Sequence, residues 1–349
     1  MLRILFFLSS GLFLGWSLGA NNAANFFGTA VQTKMVKFHT AAIICSIFVI
    51  IGAVISGAGT SHTLGELGAI DTMAGAFVVA LAAATTAMFM TKAGIPISTS
   101  QAVVGGIIGW NIFSATPTNY TALTKIVGTW IFSPVLAALI AFLLFFIVRF
   151  FVDRCKIHLI YLDALIRTGL IVVGAFGAYS LGANNIGNVM GIFINSSPFH
   201  DLNLGGILSL SSIQQLFLLG GIAIAVGVFT YSKKVMATVG SDIYKLSPIT
   251  ALIVVLAVSL TLFLFASQDL QAWLVAHNLP SLPLVPVSSS QAVVGAVMGI
   301  SLAKGGKNMH FHILGRISLG WILTPIASAI LAYITLFFMQ NVFMQPVYQ

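Results

Sequence analysis

The stretch Gly19-Ala-Asn-Asn-Ala-Ala-Asn25 lies within an apolar run that extends from Leu2 to Phe27. It places three side-chain amides where the neighbouring residues are suited to hydrocarbon. The same pattern returns as Gly182-Ala-Asn-Asn-Ile-Gly-Asn188, an offset of 182 − 19 = 163 residues. Repetition of this polar motif inside two apolar runs predicts a duplicated membrane element that carries polar groups at membrane depth.

Composition sets the class of protein. Of the 349 residues, 58% are hydrophobic and 6% are charged, and the mean hydropathy is +1.05, whereas about 25% of the residues in an average soluble domain are charged. Apolar runs of the roughly 20 residues that cross a bilayer recur along the whole chain. We therefore expect an all-α polytopic membrane protein that has no soluble domain.

The charge and the cysteines exclude other function classes. The formal net charge is +8, but the basic residues fall in short loops and no soluble surface remains to bind a nucleic acid, so orientation in the membrane explains the charge better. Cys45 and Cys155 predict neither a disulfide framework nor a metal site. No nucleotide-binding loop, catalytic triad or His/Glu metal motif appears, so we expect no enzyme, no catalytic residue and no cofactor.

Two further repeated segments follow in the same order. Pro96-Ile-Ser-Thr-Ser-Gln-Ala-Val-Val-Gly105 returns as Pro286-Val-Ser-Ser-Ser-Gln-Ala-Val-Val-Gly295, and Trp130-Ile-Phe-Ser-Pro134 returns as Trp321-Ile-Leu-Thr-Pro325. Three matched pairs predict a duplicated chain. The predicted units are a first transmembrane repeat at 1–150, a basic cytoplasmic linker at 151–160 and a second transmembrane repeat at 161–349.

Hydropathy predicts about five crossings in each repeat. An odd number of crossings turns the second repeat upside down relative to the first, as in many secondary transporters. The fourth span of each half is short, so a broken or re-entrant helix there is as probable as a simple span. The predicted spans are 4–33, 39–58, 72–91, 96–112 and 120–150, then 161–194, 212–231, 249–267, 286–302 and 310–340.

The distribution of basic residues agrees with this inverted arrangement. Cytoplasmic loops are rich in Lys and Arg, and a chain that starts outside delivers most of its basic residues to the cytoplasm. Both termini are then predicted outside the cell membrane, and Arg3 is the one basic residue that is out of place. The basic residues predicted inside include Lys34, Lys37, Lys92, Arg149, Lys233, Lys234 and Lys304.

The repeated polar motifs predict an anion site. Gly19 and Gly182 relax the helix, and the asparagines that follow can satisfy freed backbone groups or cap a new helical segment, while the Pro-led serine segments begin two more helices. Four helix starts would present unpaired N–H groups and positive dipole ends around one cavity. The alternative to an anion site is that these polar residues only join helices together. The candidate substrate-binding residues are Asn21, Asn22, Asn25, Ser98, Thr99, Ser100, Gln101, Asn184, Asn185, Asn188, Ser288, Ser289, Ser290 and Gln291.

At these residues the sequence resembles the inorganic phosphate transporter family over nearly the whole chain. The signature of that family is GAND followed by V-A-N, with a P-[VI]-S-[ST]-[ST] segment later in each half. The resemblance implies a secondary transporter, usually a homodimer in the lipid membrane, that moves a tetrahedral oxyanion together with Na⁺ or H⁺. Asn22 and Asn185 stand where the family has Asp, so the positions carry over but the charge does not. The GANN signatures and the short chain are similar to the sulfate-permease branch.

The missing carboxylates lead to a prediction about the substrate. Phosphate carries a proton near neutral pH and benefits from an acceptor carboxylate, whereas sulfate is a dianion that needs only donors. The sequence therefore predicts a sulfate symporter, with a phosphate symporter as the alternative and other oxyanions, such as thiosulfate, behind them. A passive oxyanion channel is the second alternative, because a pore also uses helix ends and hydroxyls.

Coupling to a cation follows from the charge of the substrate. Moving a dianion inward against 100 mV costs about 4.6 kcal/mol, so an importer must carry cations with it. The seven acidic residues fall at or near loops, and Asp163 and Asp242 are the proton carriers to consider. We expect H⁺ as the co-transported ion on the resemblance to the sulfate branch, with Na⁺ as the alternative.

Overall fold

The computed structural model describes residues 2–92, 97–155, 158–204, 208–236, 246–306 and 311–349. Pro96, Asp242 and residues 156–157 of the predicted linker lie outside the described residues. The described elements are α1 (Leu2–Asn22), α2 (Ala24–Gln32), α3 (Phe38–Ser56), α4 (Ala58–Leu67), α5 (Met73–Lys92), α6 (Thr99–Ser114), α7 (Tyr120–Cys155), α8 (Leu159–Met190), a 3-10 turn (Gly191–Phe193), β1 (Leu202–Leu204), β2 (Leu208–Leu210), α9 (Ser212–Thr230), α10 (Pro248–Leu264), α11 (Gln268–Ala276), α12 (Ser289–Ala303) and α13 (Phe311–Asn341).

The all-α membrane fold is confirmed. Within the described ranges, seven helical stretches are long and apolar enough to cross a bilayer, and α10 joined to α11 across a 67° bend makes an eighth. Helices α6 and α12, which contain the two serine segments, have 16 and 15 residues and are too short for a full crossing. The seven are Leu2–Gln32, Phe38–Ser56, Met73–Lys92, Tyr120–Cys155, Ile160–Phe193, Ser212–Thr230 and Ser318–Asn341.

The first helix of each half packs against the second helix of the other half. A side chain at Gly19 in α1 would collide with the carbonyl oxygen of Ile224 in α9, and one at Gly182 in α8 would collide with that of Val49 in α3. Glycine is needed at both positions because the two backbones touch. Gly182 in α8 corresponds to Gly19 in α1, 163 residues earlier, and Ile224 in α9 corresponds to Val49 in α3, 175 residues earlier. The two contacts are therefore the same contact with the two halves of the chain exchanged.

The fourth and fifth helices repeat this exchange. In α6, Gly105 lies against the carbonyl oxygen of Pro325 in α13, and in α12, Gly295 lies against that of Pro134 in α7. One turn further along each helix the same contact recurs with a second glycine, so the paired helices run parallel. Reciprocal packing of this kind is what a two-fold related duplication produces. The boundaries of the repeats and their orientation in the membrane stay predictions.

The expectation of four helix starts is wrong for the second asparagine motif, and in the first motif no asparagine caps the new helix α2. Asn184, Asn185 and Asn188 lie inside the unbroken helix α8, and the first motif is interrupted only at Ala23, which makes no side-chain cap. The physical reason is that the amides form bonds to other elements of the fold, as described below, and therefore do not cap their own chain. The two serine segments begin helices with side-chain caps, whereas α2 begins at Ala24 within the first asparagine motif without one.

Candidate functional site

The two serine segments are helix starts with matching caps. The Ser98 hydroxyl accepts a hydrogen bond from the Gln101 backbone N–H at 3.3 Å, and the Ser288 hydroxyl accepts one from the Gln291 backbone N–H at 3.3 Å. Each capping residue has an extended backbone and is buried. Ser and Thr are favoured at this position because the side-chain oxygen satisfies an N–H that the helix leaves open.

The same two segments also bind each other. The Ser100 hydroxyl donates to the carbonyl of Val287 at 3.4 Å, and the Ser290 hydroxyl donates to the carbonyl of Ile97 at 2.7 Å. These carbonyls belong to the residues just before the two capping serines, where the helix itself supplies no donor. The reciprocal pair brings the N-terminal ends of α6 and α12 together, and with them two positive dipole ends.

Each asparagine motif contacts the serine segment of the other half. The Asn25 side chain donates to the Ser289 hydroxyl at 3.1 Å, and the Asn188 side chain donates to the Ser100 hydroxyl at 2.9 Å. The four motifs that the sequence singled out therefore form one hydrogen-bonded cluster. These bonds join helices, as the alternative interpretation holds, but they connect all four motifs in one network.

The first asparagine pair and its repeat are used differently. Asn184 is fully buried; it accepts from the Val287 backbone N–H at 2.8 Å and donates to the carbonyls of Val285 and Leu262 at 3.3 and 3.4 Å. The equivalent Asn21 is half-buried and donates to the Thr91 hydroxyl at 3.2 Å. Asn184 therefore supports the backbone of a serine segment, whereas Asn21 joins α1 to the end of α5.

Several atoms of the cluster are enclosed without a partner. Asn188 donates to the Asn185 carbonyl oxygen at 3.2 Å, which leaves the Asn185 amide nitrogen and the Asn188 carbonyl oxygen unpaired. The side-chain carbonyl oxygens of Gln101 and Gln291 are also buried and unpaired. An unpaired buried polar group costs about 1–3 kcal/mol. Within the four motifs the unpaired atoms are therefore one donor and three acceptors.

Exposure differs between the halves of the cluster. Asn184, Asn185 and Asn188 are at most 1% exposed, while Asn21, Asn22 and Asn25 are half-buried. Asn22 has no hydrogen-bond partner among the described residues. The open side of the cluster is therefore the side of the first asparagine motif, next to the end of α5.

The cluster contains no carboxylate among the described residues. Asp163, one of the two proton carriers considered from the sequence, is exposed and pairs with Arg167 at 3.4 Å on the surface of α8. The charges available to a bound anion in the described cluster are therefore partial ones, from amides, hydroxyls and the two helix ends.

Sequence reasoning missed three side chains beside the cluster. Thr91, which binds Asn21, carries only the signal that it precedes Lys92 at the end of a span. The parallel packing of α12 on α7 puts Trp130 level with Gln291, and that of α6 on α13 puts Trp321 level with Gln101. Both indole Nε1 atoms are buried without a partner. The tryptophans were visible as a repeated motif, but the repeat alone assigns them no role.

A helical membrane protein in which each half contributes a short helix start to one shared polar cluster has the architecture of a secondary transporter. The phosphate transporter family matches residues 18–332 of the chain, with a second match at 272–348. The chain belongs to this family, whose members are membrane transporters, and the predicted family is confirmed.

Individual relatives agree with this assignment. "Putative phosphate permease MJ0630" of Methanocaldococcus jannaschii is 28% identical and covers 92% of this chain and 93% of its own. Sulfate permease CysP of Bacillus subtilis is 27% identical over 93% of this chain and 84% of its own. The solved structure of a sodium-dependent phosphate transporter has the same fold, with a TM-score of 0.73 and 22% identity, covering 96% of this chain and 99% of its own. The sulfate-permease branch stays a prediction.

Proposed function

We propose that this protein is a symporter that imports a tetrahedral inorganic oxyanion with a cation, and that phosphate is its first substrate. The family supports oxyanion transport, and two of the relatives described above carry phosphate in their names. The candidate site residues are those of the four motifs, led by Asn185, Asn188, Gln101 and Gln291.

The observation that carries this proposal is the unpaired set of buried atoms. The sequence prediction of sulfate counted the serine hydroxyls as free donors, but Ser100 and Ser290 already donate to backbone carbonyls. Three of the four unpaired amide atoms are acceptors, and the two indole Nε1 atoms beside the cluster add two unpaired donors. Hydrogen phosphate has a proton to offer an acceptor and oxygens to receive a donor, whereas sulfate has no proton and would leave the acceptors unpaired.

Sulfate is the second candidate because one observation favours it. Asn22 and Asn185 hold positions at which the family signature has carboxylates, and a carboxylate repels a dianion that carries no proton. The similarity to a sulfate permease, although it is only 27% identical, supports the same candidate. Sulfate would fit the unpaired acceptors only together with a bound cation.

The co-transported ion is proposed to be H⁺ or Na⁺. Charge balance requires a cation for the uptake of a dianion. The unpaired carbonyl oxygens are ligands that Na⁺ accepts, and the printed name of the related structure includes sodium dependence. The described part of the cluster offers no carboxylate as a proton carrier, so the proton-coupled form of the proposal relies on the substrate itself to bring the proton.

The test is uptake of radiolabelled phosphate and sulfate by purified protein in liposomes, with proton and sodium gradients imposed separately. We expect saturable phosphate uptake above electrochemical equilibrium that one of the two gradients drives. Uptake that only follows the gradient of the anion would identify a channel, and sulfate uptake that phosphate does not inhibit would establish the second candidate.

Variants sharpen the substrate assignment. Asn185→Asp should lower sulfate uptake at least tenfold, because a buried charge facing a dianion lacks a compensating donor, and should affect phosphate uptake less. Asn341→Asp makes the same change from an amide to a carboxylate at an exposed site at the end of α13. It is the matched control and should leave the uptake of sulfate and of phosphate unchanged. Equal losses for both anions would show that the amide does not distinguish them.

A further inference from the structure

Arg3 is a basic residue that the rule for cytoplasmic loops does not explain. It lies in the first turn of α1 and is exposed. In the structure it stands at the mouth of a groove of about 720 Å³ between α1, α5, α13 and the carboxyl-terminal segment. A cavity of this size with an exposed charged side chain beside it is a candidate ligand site.

The groove itself is apolar and runs from a buried floor to an open edge. Phe7 and Met339 on the floor are 5% and 7% exposed. Phe6 stacks on Phe77 with ring centroids 5.1 Å apart and forms one wall. Phe338 and Phe343 form the open edge on the other side. A surface formed by these side chains suits a hydrocarbon chain, and the polar lining of the groove is Arg3, Thr335 and Gln345.

The arginine is not neutralised within the described residues. One guanidinium nitrogen donates to the side-chain oxygen of Gln345 at 2.9 Å, and the guanidinium carbon lies 5.8 Å from the centre of the Phe7 ring. Both partners are uncharged. A guanidinium has five N–H donors in a planar fork that matches phosphate, so most of its donors are free to bind an anion at the mouth.

The corresponding helices of the other half provide an internal comparison. A groove between α7 and α10 also contains an arginine, Arg149, but this groove has only about 140 Å³ and its arginine pairs with Asp153 at 3.5 Å. The large apolar volume and the unneutralised charge of the Arg3 groove are therefore not shared by the groove between α7 and α10.

We propose that this groove, defined by Arg3, Phe6, Phe7, Phe77, Phe338 and Phe343, binds one anionic phospholipid, with an acyl chain between the phenylalanines and the headgroup phosphate on the Arg3 guanidinium. The lipid would join the first turn of α1 to the carboxyl-terminal segment, which share no other described side-chain bond than that of Arg3 to Gln345. This proposal concerns a surface away from the substrate cluster and does not depend on the identity of the transported anion.

The test is native mass spectrometry of the full chain, first stripped of lipid in detergent and then titrated with phosphatidylglycerol. We expect one tightly held lipid on the unmodified protein. Arg3→Gln should weaken it about fivefold, which is the factor for a single basic residue at a membrane surface. Arg149→Gln is the matched control and should change nothing. Equal retention by all three proteins would overturn the proposal.

Three further measurements separate the alternatives. Phe6→Ser, at a position 57% exposed, should also weaken binding, since it removes a wall of the groove and spares the charge. Glycerol phosphate, which has the headgroup and no chain, should not compete; competition would mean an anion site without a lipid. If Arg3→Gln shifts the protein from dimer to monomer and lipid retention stays constant, the groove is instead covered by a second copy of the chain.

Discussion

Two equivalent asparagines of the repeat should respond very differently to the same substitution. Asn184→Ala removes the acceptor of the Val287 backbone N–H, a fully buried group with a 2.8 Å bond, and the donor of two longer bonds. The orphaned N–H costs about 1–3 kcal/mol, and the two longer bonds add about 1 kcal/mol together. We expect a total loss of about 2–4 kcal/mol of folding free energy.

Asn21→Ala is the matched control from the other half. Asn21 is half-buried, and its bonds to the Ser17 carbonyl and the Thr91 hydroxyl are 3.3 and 3.2 Å long. Thr91 also has a partner of its own, the carbonyl of Ala87 at 2.8 Å. Water can replace the lost amide at a half-buried site, so the expected loss is about 0.5–1 kcal/mol.

The measurement is the thermal unfolding midpoint of both variants in the same detergent. At about 2 °C per kcal/mol for a chain of this size, Asn184→Ala should lower the midpoint by roughly 4–8 °C and Asn21→Ala by at most about 2 °C. Equal shifts of the midpoint would refute the reasoning that Asn184 supports the backbone around Val287. A larger shift for Asn21 would mean that the open side of the cluster carries the stability.

Two further predictions concern packing. Gly105→Ala should prevent normal folding, since the added Cβ would lie 2.6 Å from the Pro325 Cα and even closer to its carbonyl oxygen. Gly128→Ala is the control and should express normally, because an added Cβ there meets nothing within 4 Å. Similar yields of monodisperse protein from both variants would contradict the close approach of α6 and α13. Trp110→Phe removes the indole N–H bond to the Val347 carbonyl at 2.8 Å, which stabilises the docked carboxyl-terminal segment by about 1 kcal/mol. Carboxypeptidase should therefore cleave the carboxyl-terminal residues of the variant faster. An unchanged cleavage rate would show that this bond does not hold the carboxyl-terminal segment.

Much of the fold could be predicted from the sequence because hydrocarbon imposes a simple rule. A span must be apolar, helical and about 20 residues long, so hydropathy placed helices such as Phe38–Ser56 and Met73–Lys92 within a residue or two. The short fourth helices were also predictable, because Pro286 and the serines that follow mark the start of α12, which Ser288 caps. The bend of 67° between α10 and α11 was not, since no residue pattern reports an angle.

The candidate site was predictable only as a set of residues. The repeats identified Asn25, Asn188 and the serine segments, and the structure places them in one cluster. Their bonding could not be predicted, because Asn donates, accepts and caps equally well in a sequence. The expectation that the second Asn motif begins a helix failed for this reason, since Asn184 satisfies backbone groups 101 and 103 residues away.

By itself, the sequence determined the membrane class, the approximate positions of the spans and the family, because these follow from local composition and from repeated motifs such as GANNAAN and GANNIGN. Only the tertiary structure decided which polar atoms remain free. Ser100 and Asn185 look equally available in the sequence, yet the first is occupied by the Val287 carbonyl and the second keeps an unpaired amide nitrogen. A hydrogen-bonding group is available to a ligand only when no nearer partner has taken it, and the nearer partners here come from distant parts of the chain.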